Sequence, residues 1–306
     1  MIGISDIASY IPGNRISNLD RCEALGADKA FVSNKIGIFS VARKAVHEET
    51  SDLCCAAFER LRQRGRVEPS RIQAVVVCTQ NPDYSLPHTS AIVHGKLGLP
   101  EQCAAFDISL GCSGYVYGLA VIEGFMKGAG LAHGLLFTAD PYSKIIDEND
   151  KNTSLLFGDA ATVTYVAESP VFATGRSTFG TRGKGYEGLI CRDKTLSMNG
   201  RAIFNFAAST VPDDVRNSLA MNGLSIGDID RFLIHQGSKY IVEFLSKALE
   251  LPPEKTPFEC AEYGNTVSSS LPLMLENVLG DASIRRVLMT GFGVGLSWAT
   301  TVLFRQ

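Results

Sequence analysis

Short runs of consecutive apolar residues alternate along this chain with longer stretches that mix apolar and polar residues at helical spacing. Ala74-Val75-Val76-Val77-Cys78 and Phe232-Leu233-Ile234 are runs of the first kind. Asp52 to Arg64, Ser113 to Lys127, Val211 to Met221 and Lys239 to Leu249 are of the second kind. A strand buried on both faces reads as a continuous apolar run, and the helices that cover it read as amphipathic segments. The alternation therefore predicts an α/β protein whose sheets are buried by helices.

The pattern also repeats. Val67 to Thr79, a short turn and then a buried strand, has the same form as Leu224 to Gln236, and each follows a helix-like segment. Phe157 to Val166 and Phe292 to Leu303 form a second pair, each a glycine turn leading into a β-rich run. These echoes predict a duplicated α/β unit, with halves at 1–167 and 168–306 that differ by insertions. No Pro/Ser-rich linker divides them.

Composition narrows the class. The chain has 306 residues, 45% hydrophobic and 20% charged, with a formal net charge of -3. Those values describe an ordinary globular protein and give no basic footprint for nucleic acid or an anionic membrane. The opening Met1-Ile2-Gly3-Ile4-Ser5-Asp6 lacks a basic leader, and no apolar run approaches a membrane span. A cytoplasmic location is the expectation. The eight cysteines form no CxxC pair and have no zinc-site spacing. Most lie in apolar runs, where a reduced thiol behaves as a small hydrophobe. Arg60, Arg62, Arg64 and Arg66 read as a solvated helix end.

Cys112 is different. It stands in Gly111-Cys112-Ser113-Gly114, between a β-like run and a helix-like run. A cysteine at a helix N-terminus meets free N–H groups and the positive end of the helix dipole, which favour a thiolate. A strand-to-helix turn is also a known way to present a nucleophile. Of the five histidines, only His235 ends a predicted strand, at the edge where α/β proteins place their sites. Asn265 lies in the turn Tyr263-Gly264-Asn265-Thr266. An uncharged His and Asn can donate to a thioester carbonyl as it becomes an enolate. The turn Gly291-Phe292-Gly293-Val294-Gly295 supplies backbone N–H groups for an oxyanion hole together with that of Cys112.

Taken together, Gly111-Cys112-Ser113-Gly114, Phe157-Gly158-Asp159, His235-Gln236, Tyr263-Gly264-Asn265-Thr266 and Gly291 to Trp298 resemble the ketosynthase III family over nearly the whole chain. Leu196 to Phe204 also looks like the family's stretch before its histidine-bearing half. The resemblance implies a thiolase-like fold, with two pseudo-repeated halves in a five-layered αβαβα sandwich, and a homodimer. It implies that Cys112 takes an acyl group from acyl-CoA. Malonyl on acyl carrier protein (or on CoA) then decarboxylates and condenses with it. His235 and Asn265 would hold the malonyl thioester, and the N–H groups of Cys112 and Val294 would form the oxyanion hole. No metal or redox cofactor is implied; CoA and carrier-protein thioesters are substrates.

Departures from the pattern matter. Phe31, Lys35 and Lys151 stand where the family commonly uses a Trp and arginines to clamp CoA, and lysine lacks the bidentate fork. Tyr240 replaces a basic residue that meets carrier protein, with Lys239 beside it. Leu86 stands where a site-lining Phe is common, whereas Phe204 is no departure and would pack near the site as the family's apolar gatekeeper. These changes point to a specialised paralogue. An acyltransferase acting on an alcohol or amine is the rival on the same scaffold, although Asn265, where that reaction would want an Asp, argues against it. A thiolase would want a second cysteine between Gly291 and Trp298, which is absent. A non-catalytic partner subunit is the rival from another class.

Overall fold

The computed structural model describes residues 1–306. Ten strands form one mixed sheet: β1 Ile2–Tyr10, β2 Ala74–Cys78, β3 Ala104–Ile108, β4 His133–Ala139, β5 Ala161–Glu168, β6 Phe172–Thr174, β7 Thr178–Thr181, β8 Arg231–Ile234, β9 Arg286–Gly293 and β10 Ser297–Arg305. The long helices are α1 Thr50–Gln63, α2 Thr89–Leu97, α3 Gly114–Ala129, α4 Gly200–Met221, α5 Lys239–Ala248 and α6 Ser270–Leu279.

The strand order is β8-β9-β10-β6-β1-β5-β4-β2-β3, with β7 also on β10. Two sub-sheets meet at the single bridge between Ile4 and Phe172. In the first, β2 runs parallel to β3 and β4, and β5 runs antiparallel to β4 and β1. In the second, β8 runs parallel to β9, and β10 runs antiparallel to β9, β6 and β7. So β2, β4 and β5 of one half correspond to β8, β9 and β10 of the other. The second half has no strand that corresponds to β3.

Helices α1 and α2 cover the outer face of the first sub-sheet, and α4 the outer face of the second, with α5 packed on α4. Between the sub-sheets lie α3 and α6, each touching strands of both halves. The result is the five-layered αβαβα sandwich of the thiolase-like fold. The apolar runs follow from it. In β2, Val75 and Val77 join the core under α1 while Ala74 and Val76 join the central core. In β8, Phe232 and Ile234 face α4 while Leu233 faces the centre. Side chains alternate between faces, and both faces are buried.

Both echoes in the sequence are structural. A 3₁₀ turn, Pro69–Arg71 in one half and Ile226–Asp228 in the other, precedes β2 and β8 respectively. The second pair gives β5 and β10. Helix α4 corrects one expectation, because it begins at Gly200 rather than near Val211. Asn199 caps it by accepting from Ala202 N at 3.0 Å, and the helix continues through Pro212.

Candidate active site

Cys112 lies two residues before the first residue of α3, in the turn after β3. It is only 4% exposed. The backbone N–H groups of Val294 and of Cys112 itself are the groups that pull the thiol's pKa down. Gly293 lets its turn come close, since a Cβ there would stand 2.7 Å from Cys112 Sγ. Burial nevertheless pushes the thiol up to about 12, against the downward pull of those two N–H groups. This corrects the expectation of a resting thiolate. The helix N-terminus is present, but desolvation outweighs it because no cation faces the sulfur.

His235 follows β8 and is 2% exposed. Its backbone N donates to Thr290 O at 2.9 Å, and its ring packs edge-on against Phe292 at 5.6 Å. Burial alone pulls its pKa down to about 3, so the imidazole is neutral at ordinary pH. Nδ1 is buried without a hydrogen-bond partner. A bare lone pair there is less costly than an unpaired N–H, so we assign the hydrogen to Nε2.

Asn265 is 3% exposed and pinned on three sides. Its backbone N donates to Leu156 O at 2.8 Å, and its O accepts from Gly158 N at 2.9 Å. Its Oδ1 accepts from Val267 N at 2.9 Å, which leaves Nδ2 as the free donor end. The Phe157-Gly158-Asp159 segment thus serves Asn265. Phe157 forms a β-bridge with it, and Gly158 approaches the Tyr263 carbonyl so closely that a Cβ would collide with it. Asp159 accepts from Lys44 N at 2.8 Å and from Ser143 N at 3.2 Å, which ties the segment down.

Cys112, His235 and Asn265 converge on one cavity of about 360 Å³. Phe31, Lys35, Lys151 and Phe204 line it too, so seven of the residues singled out in the sequence share one wall. Phe204 packs on Tyr240 and Phe244, at 5.2 and 5.0 Å between ring centroids. Lys35 Nζ sits 4.2 Å from the Tyr240 ring centroid. Val294 does not line this cavity; its side chain faces a second one. Leu86 lines neither and is 86% exposed. The sequence reading missed Arg201 at the mouth, and Gln80, Asn81 and Tyr142 in the second cavity. The signal was available, because Gln80 and Tyr142 follow strands β2 and β4 as His235 follows β8.

The site and the fold define a thiolase-like protein with a buried cysteine at the centre of two related halves. Residues 106–183 match the description 3-Oxoacyl-[acyl-carrier-protein (ACP)] synthase III, and residues 219–304 match its C-terminal counterpart. The beta-ketoacyl-[acyl-carrier-protein] synthase III of Deinococcus deserti is 33% identical over 97% of this chain and 89% of its own. That of Lactococcus lactis subsp. lactis is 30% identical over 98% of each chain. Among solved structures, the Thermus thermophilus synthase III superposes with a TM-score of 0.92 at 31% identity, covering 99% of both chains. The priming beta-ketosynthase of the R1128 polyketide pathway gives 0.90 at 27% identity, over 100% of this chain and 97% of its own. This chain belongs to the beta-ketoacyl-[acyl-carrier-protein] synthase III family and is an enzyme of the transferase class.

Proposed function

We propose that the chain joins an acyl thioester starter, delivered as acyl-CoA, to a malonyl thioester, giving a β-ketoacyl thioester by decarboxylative Claisen condensation. The observation that carries this reading is the convergence of a buried thiol, a neutral imidazole and an amide N–H on one cavity. The pathway is fatty-acid initiation or a related specialised route.

In the first half-reaction Cys112 Sγ attacks the starter carbonyl. The N–H groups of Cys112 and Val294 stabilise the tetrahedral oxyanion, the C–S bond to CoA breaks, and the thiol proton leaves with CoA. A thiol held near pKa 12 makes this proton transfer part of the attack rather than a step before it. In the second half-reaction the malonyl thioester carbonyl accepts from His235 Nε2 and Asn265 Nδ2. The C–C bond to its carboxylate breaks, carbon dioxide leaves, and the electron pair becomes an enolate. The enolate carbon attacks the acyl-enzyme carbonyl, and Cys112 leaves as a thiolate that takes up one proton from solvent. Two neutral donors suit this role: neither brings a negative charge that would oppose the enolate, and neither must first give up a proton.

Phe31, Lys35 and Lys151 at the cavity mouth suit the nucleotide and phosphates of CoA, with Arg201 an added cation. Residues 1–167 would act as the nucleophile half and 168–306 as the donor half. A homodimer is part of the proposal. Strand β3 ends the sheet with one edge unpaired, and exposed Val121, Phe125 and Leu86 belong to the same half. An uncovered edge of that kind suits pairing with a second copy. The test of the roles is carbon dioxide release from malonyl thioester by acylated wild-type, His235→Ala and Asn265→Ala enzymes. Release at the wild-type rate by both variants would refute the assignment of the two donors.

A further inference from the structure

The second cavity, also of about 360 Å³, adjoins the first. Leu189 lines both, and Val294, in the turn beside Cys112, lines the second. Its wall is unlike that of the first. Gln80, Asn81 and Tyr142 bring polar groups to it, and no lysine or arginine does. Tyr142 is 2% exposed and donates from Oη to Gln80 Oε1 at 2.9 Å. That bond holds the carbonyl end of the amide and leaves Nε2 with no partner in the chain. Asn81 beside it is 5% exposed, and its Nδ2 is sealed off from the cavity, which leaves Gln80 Nε2 as the open amide donor of the pair.

The backbone that carries the two residues is held in place from behind. Gln80 N donates to Asp140 Oδ1 at 2.7 Å, and Asn81 N donates to Thr79 Oγ1 at 3.0 Å. The Asn81 carbonyl accepts from Thr50 Oγ1. Gln80 also stands beside the turn that carries the nucleophile, for a Cβ on Gly111 would lie 2.5 Å from its Oε1 and 2.6 Å from Val294 Cγ1. A preorganised donor without a partner, set in a wall that is otherwise largely apolar, fits a pocket that recognises an acceptor on an acyl chain.

We propose that this second cavity selects a starter acyl chain that bears a neutral hydrogen-bond acceptor, a hydroxyl or keto oxygen near the thioester, read by the side-chain amide of Gln80. The inference deepens the proposed function and rests on Cys112 being the residue that is loaded. A charged carboxylate on the chain fits less well, since the wall offers no cation and the Asp140 carboxyl lies directly behind Gln80.

The test compares butyryl-CoA, 3-hydroxybutyryl-CoA and succinyl-CoA as donors, reading the rate of adduct formation on Cys112 by intact-protein mass spectrometry. We expect 3-hydroxybutyryl to load with a kcat/KM about tenfold above butyryl, the effect of one well-placed hydrogen bond, and succinyl to load more slowly than either. Gln80→Leu, and separately Tyr142→Phe, should bring the hydroxybutyryl-to-butyryl ratio down toward one. Because that ratio is taken within one preparation, partial unfolding of a variant does not affect it. A wild-type ratio near one, a ratio that both variants leave unchanged, or succinyl loading as fast as hydroxybutyryl would overturn the inference while leaving Cys112 loading in place. No adduct from any of the three donors would overturn the loading reading itself, and this inference with it.

Discussion

The two halves of the molecule use the same positions for different ends. Two residues before the first turn of α3 stands Cys112; two residues before the first turn of α6 stands Ser268. Cys112 Sγ faces the cavity, whereas Ser268 Oγ is tied to Asp140 in the interior. The echo of Val67 to Thr79 with Leu224 to Gln236 sets Cys78 against His235. Cys78 Sγ points at Leu110 O and burial drives its thiol far up, while His235 lines the cavity. On the roles proposed above, a duplicated unit has kept its strands and helices and divided its chemistry, with the nucleophile in one half and the donors in the other. The sites at equivalent positions became packing.

The largest effect should come from separating the two serine-or-cysteine positions. Cys112→Ala should give no acyl adduct at all, while Ser268→Ala should still load, read by intact mass. An adduct on the Cys112→Ala protein would end the comparison. Next come the strand-end positions. His235→Ala or Asn265→Ala should slow malonyl decarboxylation by about 10²–10³-fold, the usual cost of losing one preorganised donor, and slow loading far less. Cys78→Ala should stay close to wild type in both half-reactions, and a matching loss there would show that the halves had not divided the work.

Gly158→Ala sharpens the comparison from the side of the fold. Its Cβ would meet the Tyr263 carbonyl where the first half holds the Asn265 loop of the second. We expect a loss of about 3 kcal/mol or more in chemical denaturation, at the severe end for single substitutions. A change below about 1 kcal/mol would mean that this strand contact does not hold the halves in register.

The last effect is a pH slope. His235 binds its proton only near pH 3 when folded but near its ordinary pKa of 6.5 when unfolded. Below 6.5 the unfolded state therefore binds more protons, and stability falls as pH drops from 6.5 toward 3. His235→Gln should flatten that part of the stability curve. An equal slope in both proteins would show that His235 titrates normally.

Much of this was legible from the chain because the chemistry sits at the ends of short elements. Cys112 and His235 each follow a strand, so a run of apolar residues and one polar punctuation mark located them. The duplication was legible for the same reason, since β2 and β8 carry the same turn and the same two-faced burial. Other features depended on packing. Pro212 is where an isolated helix would be expected to break or begin, so Gly200 to Thr210 did not read as part of α4. The ionisation of Cys112 turned on how completely the fold dries it, which the helix N-terminus alone does not report. Gln80 and Tyr142 looked like ordinary residues after strands until the fold placed them side by side.

The measurement that tests the central claim most directly is an intact-mass time course with acyl-CoA, followed by a chase with malonyl-carrier protein. The account expects one acyl mass on the peptide that contains Cys112, which disappears in the chase as carbon dioxide and a β-ketoacyl thioester form in equal amounts. An adduct that persists through the malonyl chase and clears only with an alcohol or amine would contradict it.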